Sequence, residues 1–287
     1  MRTVTAQLNY LARMSARPVF SSDPALTNLE LEPHEVEILD ARSLAEPPSL
    51  EREGLTVARH ATALTDFRDP DQVEGPYLRE VEDLIRTLTG AAEVRASPGA
   101  VARFTDRSDE AKAARTAPAA RFVHTDYTDV SARGHFLPQV MDPAEALGRY
   151  RRIVVYQTWR ALSGPPQDIP LALADGRSVD FADMVTADTV LNDDYGGIGQ
   201  SFEYSMCRYS PGHRWLYYRD LAPGEVIVFK GYDFDPNRPA RLVHTAFDDP
   251  SARPHAPPAP ASRRGPSPSS RIEPCMPASR SPTMSRR

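Results

Sequence analysis

The sequence predicts a mainly β protein with flanking helices, built as a barrel or sandwich rather than as an alternating βαβ sheet. Three observations carry this expectation. From residue 120 onward, short β-branched and aromatic runs recur between Pro, Gly and Asp turns. Ahead of them, the strongly helical pattern is confined to residues 75–90. The G-x-x-G at Gly196–Gly199 lacks the strand–turn–helix setting of a dinucleotide fingerprint.

Taken in order, residues 1–20 hold a short apolar-periodic stretch (Val4, Leu8, Leu11) that suits a strand or a helix. Residues 21–60 are turn-rich, with a weak strand signal at "VEILDA". In "GPYLREVEDLIRTLTG", Leu78, Val81, Leu84, Ile85 and Leu88 share one helical face, and Gly90 follows as a C-cap. That face is expected to pack on a sheet. The expected strands lie in "RFVHTDYT" (121–128), "RRIVVYQTWRAL" (151–162), "IPLALADGRSV" (169–179), "RWLYYRDL" (214–221), "GEVIVFKGYDF" (224–234) and "ARLVHTAF" (240–247). Residues 1–258 are expected to form one domain, with 1–119 as an N-terminal α/β portion and 120–258 as the barrel strands. After Phe247 no Phe, Tyr or Trp occurs, and residues 251–287 hold nine of the 28 prolines. Such a composition buries too little apolar surface to offset its ordering entropy, so residues 259–287 are expected to be disordered.

Composition narrows the function classes. An apolar fraction of 40% and a charged fraction of 25% suit a globular chain with a real core. A formal net charge of -5 argues against a nucleic-acid partner. The average hides an asymmetry: residues 251–287 carry seven Arg against Glu273, and the acidic excess lies in the rest. Cys207 and Cys275 make no disulfide framework, and reduced thiols suit the cytosol. No apolar run resembles a secretory signal or reaches the roughly 18 residues of a membrane span. A cytoplasmic protein with no membrane partner is expected. Lys112 and Lys230 are the only lysines among 34 basic residues, so Lys230 draws attention.

The chemistry begins at His124-Thr125-Asp126. On a strand, residues i and i+2 share a face, so an imidazole and a carboxylate can aim at one metal ion. His244, in the β-branched run "RLVHTAF", supplies a third ligand from a later strand. Two His and one carboxylate make the facial triad of non-haem Fe(II) oxygenases, which leaves the opposite face of the ion open. An H-x-D triplet alone is also an ordinary surface pattern. The remaining histidines are weaker candidates: His34, His60 and His135 fall in loop-like regions, His255 in the tail, and His213 at a strand entrance where it orients a loop or a substrate.

"RFVHTDYT", "VVYQTWRALSGPPQDIPLALADGRSV", "GHRWLYYRDLAPGEVIVFKGYDF" and "HTAFDDP" together resemble the fungal and bacterial hydroxylase/desaturase family, over residues 1 to about 258. The resemblance implies a double-stranded β-helix (jelly-roll) barrel. It also implies Fe(II)/2-oxoglutarate-dependent oxidation, with O2 as cosubstrate, of a small natural product. His124, Asp126 and His244 match the metal ligands it implies. Tyr127, Arg160, His213 and Lys230 become candidates for the substrate pocket, with Trp159 and Tyr232 behind them. The plainer alternative is that the aromatics fill the barrel, Arg160 makes an ordinary ion pair and Lys230 caps a strand edge.

The chain departs from that family at its end. The resemblance implies Pro-Pro and then an Arg-x-Ser-Ile-Glu strand whose Arg binds the distal carboxylate of 2-oxoglutarate in bidentate fashion. Here Pro257-Pro258 is followed by Ala-Pro-Ala-Ser-Arg-Arg, and the strand is absent there. One allowed codon choice for Pro258–Arg264, read two bases later, encodes Arg-Ala-Ser-Ile-Glu-Ala, so a shifted reading frame from about Ala259 is expected. The nucleotide sequence tests that. Arg253 and Arg263 are the substitute anchors for 2-oxoglutarate. Two other readings remain at this level: a non-catalytic or impaired member serving as an accessory or binding subunit for a protein partner, and a zinc hydrolase using the same ligands.

Overall fold

The computed structural model describes residues 1–67, 69–97, 119–191, 201–238 and 241–252, together with the backbone of 100–104 and 270–274. Among the described residues, fourteen strands and two regular helices carry the architecture. In chain order they are β1 (Thr3–Leu11), β2 (Val19–Ser21), β3 (Leu31–Asp40), β4 (Leu55–Arg59), α1 (Leu78–Thr89), β5 (Ala100–Phe104), β6 (His124–Thr125), α2 (Pro143–Arg149), β7 (Val154–Ala161), β8 (Leu171–Ala174), β9 (Met184–Val190), β10 (Ser201–Cys207), β11 (Trp215–Tyr217), β12 (Glu225–Asp233), β13 (His244–Ala246) and β14 (Ser270–Pro274).

The strands form two facing sheets. One runs β1-β3-β11-β8-β13-β6-β10-β9-β2, the other β4-β12-β7-β14-β5. Leu171, Leu173 and Leu216 of the first pack against Trp159, Ile227 and Phe229 of the second. This is the expected mainly β barrel. β1 is a strand because its buried residues alternate: Val4, Ala6, Leu8 and Tyr10 face inward, Thr3, Thr5 and Gln7 outward. Those four join Trp215, Tyr217, Val123 and Val243 in a second core on the back of the larger sheet. α1 lays Leu84 and Ile85 on Val226 and Val228 of β12, so its apolar face does pack on a sheet. Gly90 ends it in the left-handed region (φ 68), its N–H donating to Arg86 O at 2.9 Å.

Three features differ from the sequence reading. First, strands from the N-terminal portion join both sheets: β1, β2 and β3 belong to the larger and β4 and β5 to the smaller. Second, β9 and β10 pair over seven residues, though "MVTADTV" and "SFEYSMC" carry too many polar residues to stand out as strands. Third, part of the tail is ordered as a strand. β14 (Ser-Arg-Ile-Glu-Pro) pairs with Arg160 and Ala161 of β7 on one side and with β5 on the other. Unpaired ladder groups on β7 and β5 give even a Pro- and Ser-rich segment a template to join. The rest of 259–287 lies outside the described residues. Among them, no helix is long and apolar enough to cross a membrane.

Candidate metal centre

His124 and His244 are brought together by strand register. β6 lies between β10 and β13, and His124 and His244 are directly opposed partners in the antiparallel β6–β13 pair. Val123 and Val243, one residue earlier in each strand, join the core on the opposite face. The two-residue period therefore turns both imidazoles inward. Their rings lie 4.5 Å apart between centroids. Asp126, two residues past His124, closes the group. Its Oδ1 is 3.4 Å from His124 Nε2 and its Oδ2 3.6 Å from His244 Nε2.

One donor atom from each of His124, Asp126 and His244 lies within 4.8 Å of the others, and all three residues are buried. The donor set fits a divalent transition metal. His124 Nδ1 lies 2.8 Å from Phe122 O and His244 Nδ1 3.1 Å from Leu242 O. Each carbonyl can only accept, so each Nδ1 carries the proton and each Nε2 offers a lone pair to the centre. Burial disfavours the ionised Asp126, but the contact with His124, electrostatic attraction from His244 and His124, and the Gln157 amide outweigh it and hold the carboxyl below its usual range. Phe122, Phe229 and Tyr204 wall the imidazoles.

A cavity of about 460 Å³ has Gln157 and Tyr127 in its wall, while His124, Asp126 and His244 do not line it. Its wall includes Val155, Tyr127, Phe136 and Gln157, Tyr77 and Val81 from the helical cover, and the polar residues Glu93, Arg95 and Tyr150. Tyr150 donates its hydroxyl to the Glu93 carboxylate, and Arg95 donates to the same group at 2.6 Å. Gln157 belongs both to the cavity wall and to the centre, since its Nε2 donates to Asp126 Oδ2 at 2.6 Å.

Of the expected pocket residues, Tyr127 lines the cavity. Arg160, His213 and Lys230 do not. Arg160 sits on the outer face of β7, where it donates to the carbonyls of His60 and Pro223 and to His60 Nδ1, and lies over the Phe67 and Tyr77 rings. His213 stacks on Tyr10 and bonds to Asp183 at 3.2 Å, which fixes a loop. Lys230 is fully buried and donates to Asp233 Oδ2 at 2.9 Å, so its charge is already matched. Trp159 and Tyr232 are core aromatics. Arg253 and Arg263 lie outside the described residues. Gln157 was missed by sequence reasoning. Its signal was a lone amide inside the apolar run V-V-Y-Q-T-W.

Comparison with known proteins agrees with this geometry. The sequence family described as "Oxidoreductase/YMDC permease-like domain" matches residues 8–260. The alpha-ketoglutarate-dependent dioxygenase tstK of Talaromyces stipitatus is 31% identical over 229 residues, 76% of this chain and 78% of that protein. The Fe(II)/2-oxoglutarate-dependent dioxygenase nvfI of Aspergillus novofumigatus is 29% identical, covering 80% and 81%. The hydroxylase/desaturase efuI of Hormonema carpetanum is 28% identical, covering 85% and 88%. The solved iron and alpha-ketoglutarate-dependent endoperoxidase NvfI superposes with a TM-score of 0.77 at 23% identity, over 94% of this chain and 96% of that one, which shows a shared fold. The chain belongs to this oxidoreductase family, that of the hydroxylase/desaturases and Fe(II)/2-oxoglutarate-dependent dioxygenases.

Proposed function

We propose that His124, Asp126 and His244 hold one ferrous ion, and that the protein uses it with 2-oxoglutarate and O2 to hydroxylate or desaturate a mid-sized, mainly apolar metabolite. The observation that carries this is the convergence of two imidazoles of fixed tautomer and one carboxylate within 4.8 Å, joined through Gln157 to the wall of a cavity of about 460 Å³. Cavities of this size take molecules of drug-like mass. Bound iron would supply activation of O2 coupled to oxidative decarboxylation of 2-oxoglutarate. The protein's own part is positional. The Phe122 and Leu242 carbonyls fix which imidazole nitrogen faces the ion. Phe122, Phe229 and Tyr204 limit water around it. Tyr127, Val155 and Phe136 present an apolar surface to the substrate, and the Glu93 carboxylate, held by Tyr150 and Arg95, adds a polar group to the same wall.

For the distal carboxylate of 2-oxoglutarate we propose Arg271 as a candidate anchor alongside Arg253 and Arg263. Arg271 stands on β14, the late strand that pairs with β7. Two cysteines make no disulfide framework, which suits a reducing compartment, and we place the protein in the cytosol. The test is conversion of 2-oxoglutarate to succinate by the purified chain with Fe(II), ascorbate and O2, with no substrate added. Slow turnover is expected, lost in His124→Ala and His244→Ala. Wild-type protein that neither binds Fe(II) nor consumes 2-oxoglutarate overturns the proposal.

A further inference from the structure

Gln157 lies in the middle of β7, on the inward face with Val155 and Trp159. It is buried, and its amide N–H reaches Asp126 Oδ2 at 2.6 Å, the short range of a charge-assisted bond. The neighbouring strand leaves room for it. β12 breaks register with β7 between Lys230 and Tyr232, and Gly231 occupies the break. A Cβ on Gly231 would lie 2.5 Å from Tyr127 Cε2 and 2.8 Å from Gln157 Oε1. Glycine is required there by close approach alone, because the Tyr127 ring and the Gln157 amide occupy the space of a side chain.

We infer that Gln157, seated against Gly231 and Tyr127, is a positioning residue for the metal-binding carboxylate of Asp126. Asp126 lies just past the end of β6, where the ladder no longer fixes its side chain. One carboxylate oxygen engaged by Gln157 sets the plane of the group and leaves Oδ1 facing His124. The bond also links the cavity wall to the centre, since Gln157 belongs to both.

This inference rests on the reading of His124, Asp126 and His244 as metal ligands, and the experiment separates the two. The full chain is titrated with Co(II), with visible absorption as readout, and apo-protein thermal midpoints are recorded alongside. Asp126→Ala tests the ligand reading: retained wild-type Co(II) binding sinks that reading. Gln157→Met keeps the side-chain length and removes the donor. It is expected to weaken Co(II) about 10- to 100-fold, the usual cost of losing such a partner, and to shift the absorption bands. Gly231→Ala displaces Gln157 and Tyr127 without removing a polar group, and is expected to weaken Co(II) in the same direction. If Asp126→Ala loses the metal while Gln157→Met binds within about threefold of wild type with unshifted bands, the inference is overturned. A general packing role would lower the thermal midpoint without moving affinity or bands.

Discussion

Asp233 shows how single side chains hold a charged group inside this barrel. Its carboxylate, with no side-chain exposure, accepts from Lys230 Nζ at 2.9 Å and from Arg152 Nη2 at 2.6 Å. Burial raises its pKa, but the Arg152 and Lys230 bonds outweigh that and set it below the ordinary carboxyl value. A depressed carboxyl contributes stability above its unfolded pKa of about 3.9, and loses it as pH falls through the lower folded value. Asp233→Ala strands a buried ammonium, so chemical denaturation at neutral pH should show a loss of about 3–5 kcal/mol. The gap to wild type should narrow below about pH 4, where Asp233 takes up a proton in the unfolded chain but not yet in the folded one, and should close as pH falls through the lower folded value. An equal gap across that range removes Asp233 from this role. Lys230 also marks a limit of sequence reading. Its rarity singled it out, but rarity reflects composition, and only the fold reveals that Asp233 lies within reach.

At the scale of elements, the site depends on short strands holding long-range partners. β6 and β13 contain only two and three residues, yet they carry both imidazoles. The H-x-D spacing and the β-branched setting of His244 were legible because a strand's period of two is written in the chain. The partnership of Gln157 with Asp126 was not, because it crosses from one sheet to the other and no spacing rule relates residues 126 and 157. β14 is a similar case: "SRIEP" is too short and polar to read as a strand, and it gains order from the edges it joins. Arg271→Leu should raise the KM for 2-oxoglutarate at least tenfold, measured as succinate release, while leaving Co(II) affinity within about threefold. Unchanged KM would return the anchor to Arg253 or Arg263.

On the scale of the whole molecule, two facing sheets bury the centre while a helical cover shapes the cavity. The barrel class was legible from turn-separated apolar runs, whereas the joining of residues 1–119 into the same sheets was not, since partner choice among strands is set by packing rather than by any one segment. The back core gives a simple check of that packing. Cys207 belongs to it and is fully buried. In a Cys275→Ser background, Ellman's reagent should therefore titrate no thiol until the protein is unfolded. Prompt reaction at native conditions would mean that the back core of the larger sheet does not stay closed around Cys207.

The direct opposition of His124 and His244 makes metal uptake a ruler for strand alignment. A one-residue insertion just before His244 would swing its ring into the back core, and two added residues would return it to the correct side at a shifted height. An ion can thus be captured only after two segments about 120 positions apart have docked in step. Iron would enter late in folding, and chains that mispair would be marked by their failure to retain it.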